Sequence, residues 1–267
     1  MDWAAVEWTD DKLRLWLTDQ AAPITVPCPD DPAAALRALL LPRLARGQVL
    51  TVIASGWPGV GPLPVPCRPG QPAPVLPIDP QIRLHPLPGL VQNRPLDLIE
   101  APIPLIAGHL AANPDFDGVL CLPGRSSAWV QVSAAEVVSF RSFLTMEILS
   151  SLIAQDEVGN DPAFAEAVAQ AMARPAAIAA ELSSVRAGLA LGRWDRATAR
   201  ASIAGLLIGA ELAAARPWWL GQNVLIIGQG WLADCYAKAL AAQGVTPGRA
   251  DPAQAWLAGM RAAHQVL

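Results

Sequence analysis

Charge is scarce in this sequence, and lysine scarcer still. Only 16% of the 267 residues are Asp, Glu, Lys or Arg, and the formal net charge is −4. Lysine occurs only as Lys12 and Lys238, with no clustered basic run anywhere. A nucleic-acid-binding face needs such a cluster, so nucleic acid is excluded as a partner. Tyrosine appears once and phenylalanine four times. Cys28, Cys67, Cys121 and Cys235 form no C-x-x-C pair, and His85, His109 and His264 have no metal-ligand spacing. Scattered cysteines of this kind are expected to be reduced thiols. The opening Met-Asp-Trp carries no basic-then-apolar leader. The uncharged stretch between Arg46 and Arg68 is broken repeatedly by Gly and Pro, so it cannot satisfy its backbone inside a bilayer. The expectation is a cytoplasmic protein with neither membrane nor nucleic acid as partner.

What is abundant is apolar surface: 53% of residues are hydrophobic and ten are tryptophan. That supports one large domain or two modest ones, each with its own core. Trp3 to Trp8 and Lys12 to Thr18 read as two strands, with Leu13, Leu15 and Leu17 alternating and Thr9, Asp10 and Asp11 turning between them. Asp31-Pro32 is a helix N-cap followed by proline at the first helical position. Gln48 to Ala54 is a short apolar strand. Fourteen of the 26 prolines lie between Pro58 and Pro104, which predicts extended segments, turns and edge strands there, without long helices or central strands. Beyond it, Ile103 to Ala112 reads as a helix, and Val119 to Leu122 and Ala128 to Val132 as strands. Helices are predicted to begin near Thr145, at Asp161-Pro162, near Ala176 and near Asp195. Asn223 to Ile227 then reads as a buried strand, Trp231 to Gln243 as a helix, and Asp251-Pro252 as the start of a last one. The alternation is an α/β plan.

Several segments, in order, resemble the 2-keto-3-deoxy-galactonokinase family. Glu7-Trp8-Thr9-Asp10-Asp11-Lys12-Leu13-Arg14-Leu15-Trp16 is similar to its signature D-W-G-[ST]-[ST]-N-L-R-x-W. Pro123 to Val130 falls on P-G-T-H-[SC]-K-W-V, and Phe140 to Glu147 on F-R-x-x-x-T-G-E. Gly205-Leu206-Leu207-Ile208-Gly209-Ala210-Glu211 matches G-L-L-I-G-A-E without a change, and Val224 to Tyr236 is similar to a later strand-glycine-helix segment. The resemblance implies a two-lobed actin-like, hexokinase-like (ribonuclease-H-like) sugar kinase fold, with lobes at 1–105 and 106–267 and a cleft between them. It implies ATP and Mg²⁺ as cofactors, a small sugar-acid substrate phosphorylated on its terminal hydroxyl, and leaves a homodimer open.

Carried over by position, the resemblance implies Glu7 and Glu147 as catalytic carboxylates, with Glu7 also meeting the metal. It implies Thr9, Asp10, Gly124, Arg125, Ser126, Gly228 and Gly230 as the nucleotide-binding set. The departures bear on chemistry. Thr9 stands where the family has glycine against an anion. Asp10 and Asp11 replace hydroxyl residues, and one negative charge at about 4 Å from a phosphate costs roughly 1 to 4 kcal/mol. The family's R-G-E-E-T-Q segment falls on Ile99 to Pro104, where only Glu100 is acidic and out of register. A second reading is therefore a catalytically eroded homologue that binds a sugar acid or a protein. Glu211, among Leu, Ile and Ala, reads as a buried structural hydrogen-bonding group. Trp218-Trp219, after Arg216-Pro217, reads as either core or an exposed patch for a partner. Val224 to Ala233 also fits the dinucleotide pattern G-x-G-x-x-A with Asp251 downstream. Too few residues follow it to build the further strands of a Rossmann domain.

Overall fold

A computed structural model describes residues 2–9, 12–18, 22–27, 31–153 and 161–267. Asp10, Asp11 and Cys28, all named above, lie outside the described residues. The chain forms two compact units. The first comprises Met1–Phe116, Ala135–Val137 and Ala253–Leu267, the second Asp117–Ala134 and Val138–Pro252.

The first unit is built on a six-stranded sheet from β1 (Trp3–Trp8), β2 (Lys12–Leu17), β3 (Ile24–Pro27), β4 (Leu50–Ser55), β6 (Leu76–Asp79) and β7 (Ile82–Pro86), in the order β3-β2-β1-β4-β7-β6. β1 runs antiparallel to β2 and parallel to β4, which is parallel to β7. A smaller sheet joins β5 (Leu63–Pro64), β8 (Leu90–Asn93) and β9 (Leu96–Ile99). The alternation in β2 buries Leu13, Leu15 and Leu17 in one core with Val6, Val52 and Leu84, and with Leu36 and Leu40 of helix α1 (Pro32–Leu40). Asp31 caps α1 by accepting from the Ala34 amide at 2.9 Å. Helix α2 (Ile103–Ala112) and the last helix, α9 (Pro252–Gln265), meet through glycine: a Cβ on Gly108 would lie 2.5 Å from the Gly259 nitrogen. Trp3 stacks on His264 with ring centroids 4.9 Å apart, and Trp16 packs on Trp256 at 4.1 Å.

The second unit carries β10 (Gly118–Leu122), β11 (Ser127–Ser133), β12 (Glu136–Phe143), β13 (Val224–Ile227) and β14 (Gly248–Ala250), in the order β12-β11-β10-β13-β14. β10 is antiparallel to β11 and parallel to β13, which is parallel to β14. This repeats the β3-β2-β1-β4-β7 order of the first unit. Around the sheet come α3 (Thr145–Leu152), α4 (Asp161–Ala173), α5 (Ile178–Ala190), α6 (Arg196–Ala214), α7 (Arg216–Trp219) and α8 (Gly230–Ala241). By length and composition α6 could cross a membrane, yet it is mostly buried here and forms the core with Phe164, Val168, Val185 and Leu240. Its glycines let α4 approach: a Cβ on Gly209 would sit 2.7 Å from the Val168 carbonyl oxygen.

One expectation needs correction, and two alternatives are decided. The proline-rich window holds an interior strand, since β7 lies between β4 and β6. Its run from Gln81 to His85 is free of proline, and Pro86 only ends it. Trp218-Trp219 is no exposed patch: Trp219 is 2% exposed and donates its Nε1–H to the Leu212 carbonyl at 2.8 Å, and Trp218 packs on the same core. The mixed sheet, with β11 and β12 antiparallel beyond β10, is not a Rossmann sheet.

β12 went unread because its hairpin turn is Ala134-Ala135, at φ 52° and 61°. Both are left-handed, a conformation that Asn-Gly signals and alanine does not. Ala134→Asn with Ala135→Gly should therefore stabilise the chain by about 1 kcal/mol and raise its unfolding midpoint by about 2–4 °C. Calorimetry checks this, and a lowered midpoint would show that the turn conformation is not the source of strain.

Candidate active site

Each unit places expected site residues where its two central parallel strands end. In the first, Glu7 near the end of β1 pairs in register with Arg14 on β2 and with Ser55 on β4. The Glu7 carboxylate forms an ion pair with Arg14 at 2.8 Å, with only 13% of its side chain exposed. Thr9 closes the hairpin: its amide donates to the Lys12 carbonyl at 2.9 Å and its hydroxyl to the same oxygen at 3.2 Å. Ser55, fully buried, reaches the Ala101 carbonyl at 3.5 Å. That contact ties the segment around Glu100 and Ala101 to the strand that neighbours Glu7. Glu100 itself is exposed, just beyond β9. After Ser55, Gly56 adopts φ 69° against the Trp8 carbonyl, a place where only glycine fits. Ser55 was missed as a site-forming residue. The Ser-Gly pair closing an apolar strand was the available signal.

In the second unit, Gly124, Arg125 and Ser126 form the loop between β10 and β11. Glu147 lies in the first turn of α3. The structure brings these together: Ser126 donates its hydroxyl to Glu147 Oε1 at 3.3 Å, and Arg125 Nε lies 3.6 Å from the same oxygen. Arg125 is 72% exposed and Glu147 38%, so both face solvent.

The same loop neighbours the glycine turn that follows β13. A Cβ on Gly228 would meet the Pro123 ring at 3.3 Å, so glycine keeps loop and turn in contact. Gly230, at φ 69°, turns the chain into α8, whose N-cap Gln229 makes no side-chain capping hydrogen bond. Beside it, the buried Arg200 of α6 holds its guanidinium 4.7 Å over the Trp231 ring. This cation–π contact fixes the first turn of α8. Nothing in the sequence of α6 marked Arg200 as a partner of Trp231.

Behind this surface sits Glu211, 3% exposed. Its Oε2 accepts from Ser127 at 2.8 Å, from Tyr236 at 2.7 Å and from Thr145, and its Oε1 accepts from Trp129 Nε1 at 2.8 Å. Three donors thus converge on Oε2 and one on Oε1, in a group that offers about two lone-pair sites on each oxygen. Burial pushes the Glu211 carboxyl above its ordinary value, opposed by the bonds from Thr145, Trp129, Tyr236 and Ser127. Burial likewise drives the Tyr236 hydroxyl far above its usual range, which keeps it a donor. The buried hydrogen-bonding role expected of Glu211 is what the structure shows. The unchanged motif Gly205 to Glu211 thus supplies glycines for close helix approach and the carboxylate at the centre of this network.

The nucleotide and metal implied by the resemblance can be weighed against these residues. An exposed arginine, a hydroxyl and a helix N-terminus without a side-chain cap are groups that receive phosphate. Among the described residues, no group of three or more His, Cys, Asp or Glu is placed to hold a metal. Glu7, already paired with Arg14, suits an ion carried on nucleotide phosphates. That is the usual mode for Mg²⁺, with one or two carboxylates.

Comparison with known proteins agrees with the geometry. The family model for 2-keto-3-deoxy-galactonokinase matches residues 8–263. A Rhizobium meliloti (strain 1021) protein named as a probable 2-dehydro-3-deoxygalactonokinase is 29% identical over 302 aligned positions, covering 99% of this chain and 97% of that protein. A crystal structure from Sinorhizobium meliloti, of a protein likewise assigned as a 2-dehydro-3-deoxygalactonokinase, superposes with a TM-score of 0.82 at 28% identity, over 99% of this chain and 96% of that one. Component A of the (R)-2-hydroxyglutaryl-CoA dehydratase of Acidaminococcus fermentans shares the fold alone, with a TM-score of 0.55 at 11% identity over 99% and 98% of the two chains. The α/β architecture is the actin-like one expected from the sequence.

Proposed function

Because the chain belongs to the 2-keto-3-deoxy-galactonokinase family, we propose that it transfers the γ-phosphoryl group of ATP to the terminal 6-hydroxyl of 2-dehydro-3-deoxy-galactonate. The observation that carries the reading is the convergence of Arg125, Ser126 and Glu147 beside the Gly228–Gly230 turn. Arg125 and Ser126 meet phosphate oxygens, where a guanidinium gives charge-assisted, directional bonds. Glu147, in contact with both, offers its carboxylate to the sugar hydroxyl. Gly228 and Gly230 pass the adenosine, since a side chain at either position would narrow or strain the turn. Within the first unit, the resemblance assigns Thr9 to phosphate and Glu7 to a phosphate-bound Mg²⁺, and Asp10, assigned with Thr9, lies outside the described residues. When bound, that ion spreads the charge of the transferred group. The substrate oxygen attacks phosphorus, the bond to the ADP oxygen breaks, and the hydroxyl proton leaves to a carboxylate. Positioning and electrostatics supply nearly all the acceleration in such a transfer, which is what these residues provide. The cysteines support a cytoplasmic location: Cys67, Cys121 and Cys235 are free thiols, as a reducing compartment maintains.

The test is a coupled assay of ADP release with Mg-ATP and 2-dehydro-3-deoxy-galactonate, the product being identified as the 6-phosphate by mass and phosphorus NMR. Turnover is expected, and Arg125→Ala should lower kcat/KM about 100-fold by removing a charge-stabilising contact. If no phosphate moves while the sugar acid still binds, the kinase reading fails and the eroded, ligand-binding one replaces it.

A further inference from the structure

We propose that Glu211 is a positioning residue, whose buried carboxylate sets the spacing between the Arg125–Ser126 loop and the first turn of α3. The proposal rests on the kinase reading for its catalytic consequence, though not for its geometry. Two of the donors to Glu211 Oε2 lie directly beneath the site. Ser127 follows Ser126 in the chain, and Thr145 is two residues before Glu147. One oxygen atom therefore anchors both arms that meet above it, where Glu147 Oε1 receives Ser126 and Arg125. The upper contact is exposed, and exposed pairs of this kind are too weak to fix two segments against each other. The lower one, carried on α6, is buried and receives donors from β11, α3 and α8. For stability alone, a buried carboxylate gains little over an apolar side chain of similar volume, whereas it does specify one arrangement of its donors.

Tyr236 supplies the control. Its hydroxyl binds the same Oε2 from the middle of α8 and also hydrogen-bonds with Ser127, so it bears on the β11 arm, whereas Thr145 is the donor that ties in α3. Thr145→Val and Tyr236→Phe each remove one donor to that oxygen and keep the shape of the side chain, so both should lower the melting temperature by a similar amount. Only Thr145→Val should impair the site. Its kcat is expected to fall about 10- to 100-fold with KM for both substrates within about threefold, because a displacement of about an ångström costs that much. Thr145→Ser, which keeps the hydroxyl, should recover kcat to within about threefold of the natural chain, and Tyr236→Phe should retain kcat. Hydrogen exchange supplies a readout independent of turnover: amides of Met146 to Ile148, in the first turn of α3, should exchange about tenfold faster in Thr145→Val only. If activity and exchange track the melting temperature equally in both variants, or Thr145→Val leaves them unchanged, Glu211 is structural and the proposal is wrong. If the natural chain shows no kinase activity, the proposed function falls, and the exchange comparison still decides whether Glu211 sets the geometry.

Discussion

Gly209→Val is expected to cost the second unit more than about 4 kcal/mol, placing it among the exceptional single substitutions. The new Cβ would stand 2.7 Å from the Val168 carbonyl oxygen and 2.9 Å from the Ala171 methyl, and backbone cannot step aside as a flexible side chain does. Helix α4 would have to move off α6, opening the core around Phe164, Val168 and Leu212. A packed core resists such a shift because few voids exist to take it up. The expected outcome is a sharp loss of soluble yield, and a denaturation midpoint far below that of the natural chain. Gly61→Ala is the control: a Cβ there meets nothing within 4 Å, and stability should hardly change. A melting curve for Gly209→Val that overlays the natural one would show that α4 can reseat freely.

Glu211→Ala should destabilise by about 3–5 kcal/mol, the usual cost of breaking a buried charge network from one side. It leaves Ser127, Trp129, Thr145 and Tyr236 facing a cavity with no common acceptor. Glu211→Gln keeps the volume and should cost less, since the hydroxyls can turn to accept from the amide. The pH dependence follows from burial. The folded carboxyl sits above its ordinary value of 4.5, so the folded state holds this proton more tightly than the unfolded chain does. That contribution to stability is complete below the ordinary value and is lost as pH rises through the folded one. The advantage of the natural chain over Glu211→Gln should accordingly be larger near about pH 5 than near about pH 8. Urea denaturation of both proteins at the two pH values measures it. A gap that widens with pH would mean that the four hydrogen bonds outweigh burial.

The parts of this molecule that a single chain segment dictates were readable in advance. Asp31-Pro32 set the start of α1, Asp195 the start of α6, and the leucine alternation of β2 its buried face. Within the site, the loop residues Arg125 and Ser126 and the helix residue Glu147 were picked out by motif, and the fold joins them. What escaped depends on partners distant in the chain. The interior place of β7 is fixed by pairing with β4, which its surrounding prolines disguise. Trp219 is buried because Leu212 offers it a carbonyl, while a Trp-Trp pair after proline reads equally well as surface. Arg200 and Ser55 act through Trp231 and Ala101, and no local pattern announces either contact. The hairpin into β12 relies on two alanines in a conformation alanine seldom takes.

Helix α9 belongs with the sheet that the chain begins, Trp3 lying on His264 and Trp16 on Trp256. On the ribosome this has a definite consequence. The second unit's strands and helices, through Pro252, have all been made before α9 emerges. The first unit must wait with the indoles of Trp3 and Trp16 uncovered and with Gly108 facing nothing. Domains that fold as they are synthesised usually do so from the N-terminus onward. Here the order is inverted, so the second unit can finish first and the first unit closes last. A nascent chain stalled just short of Ala253 should thus carry a protease-resistant second unit beside a first unit that is still open to cleavage and to chaperones.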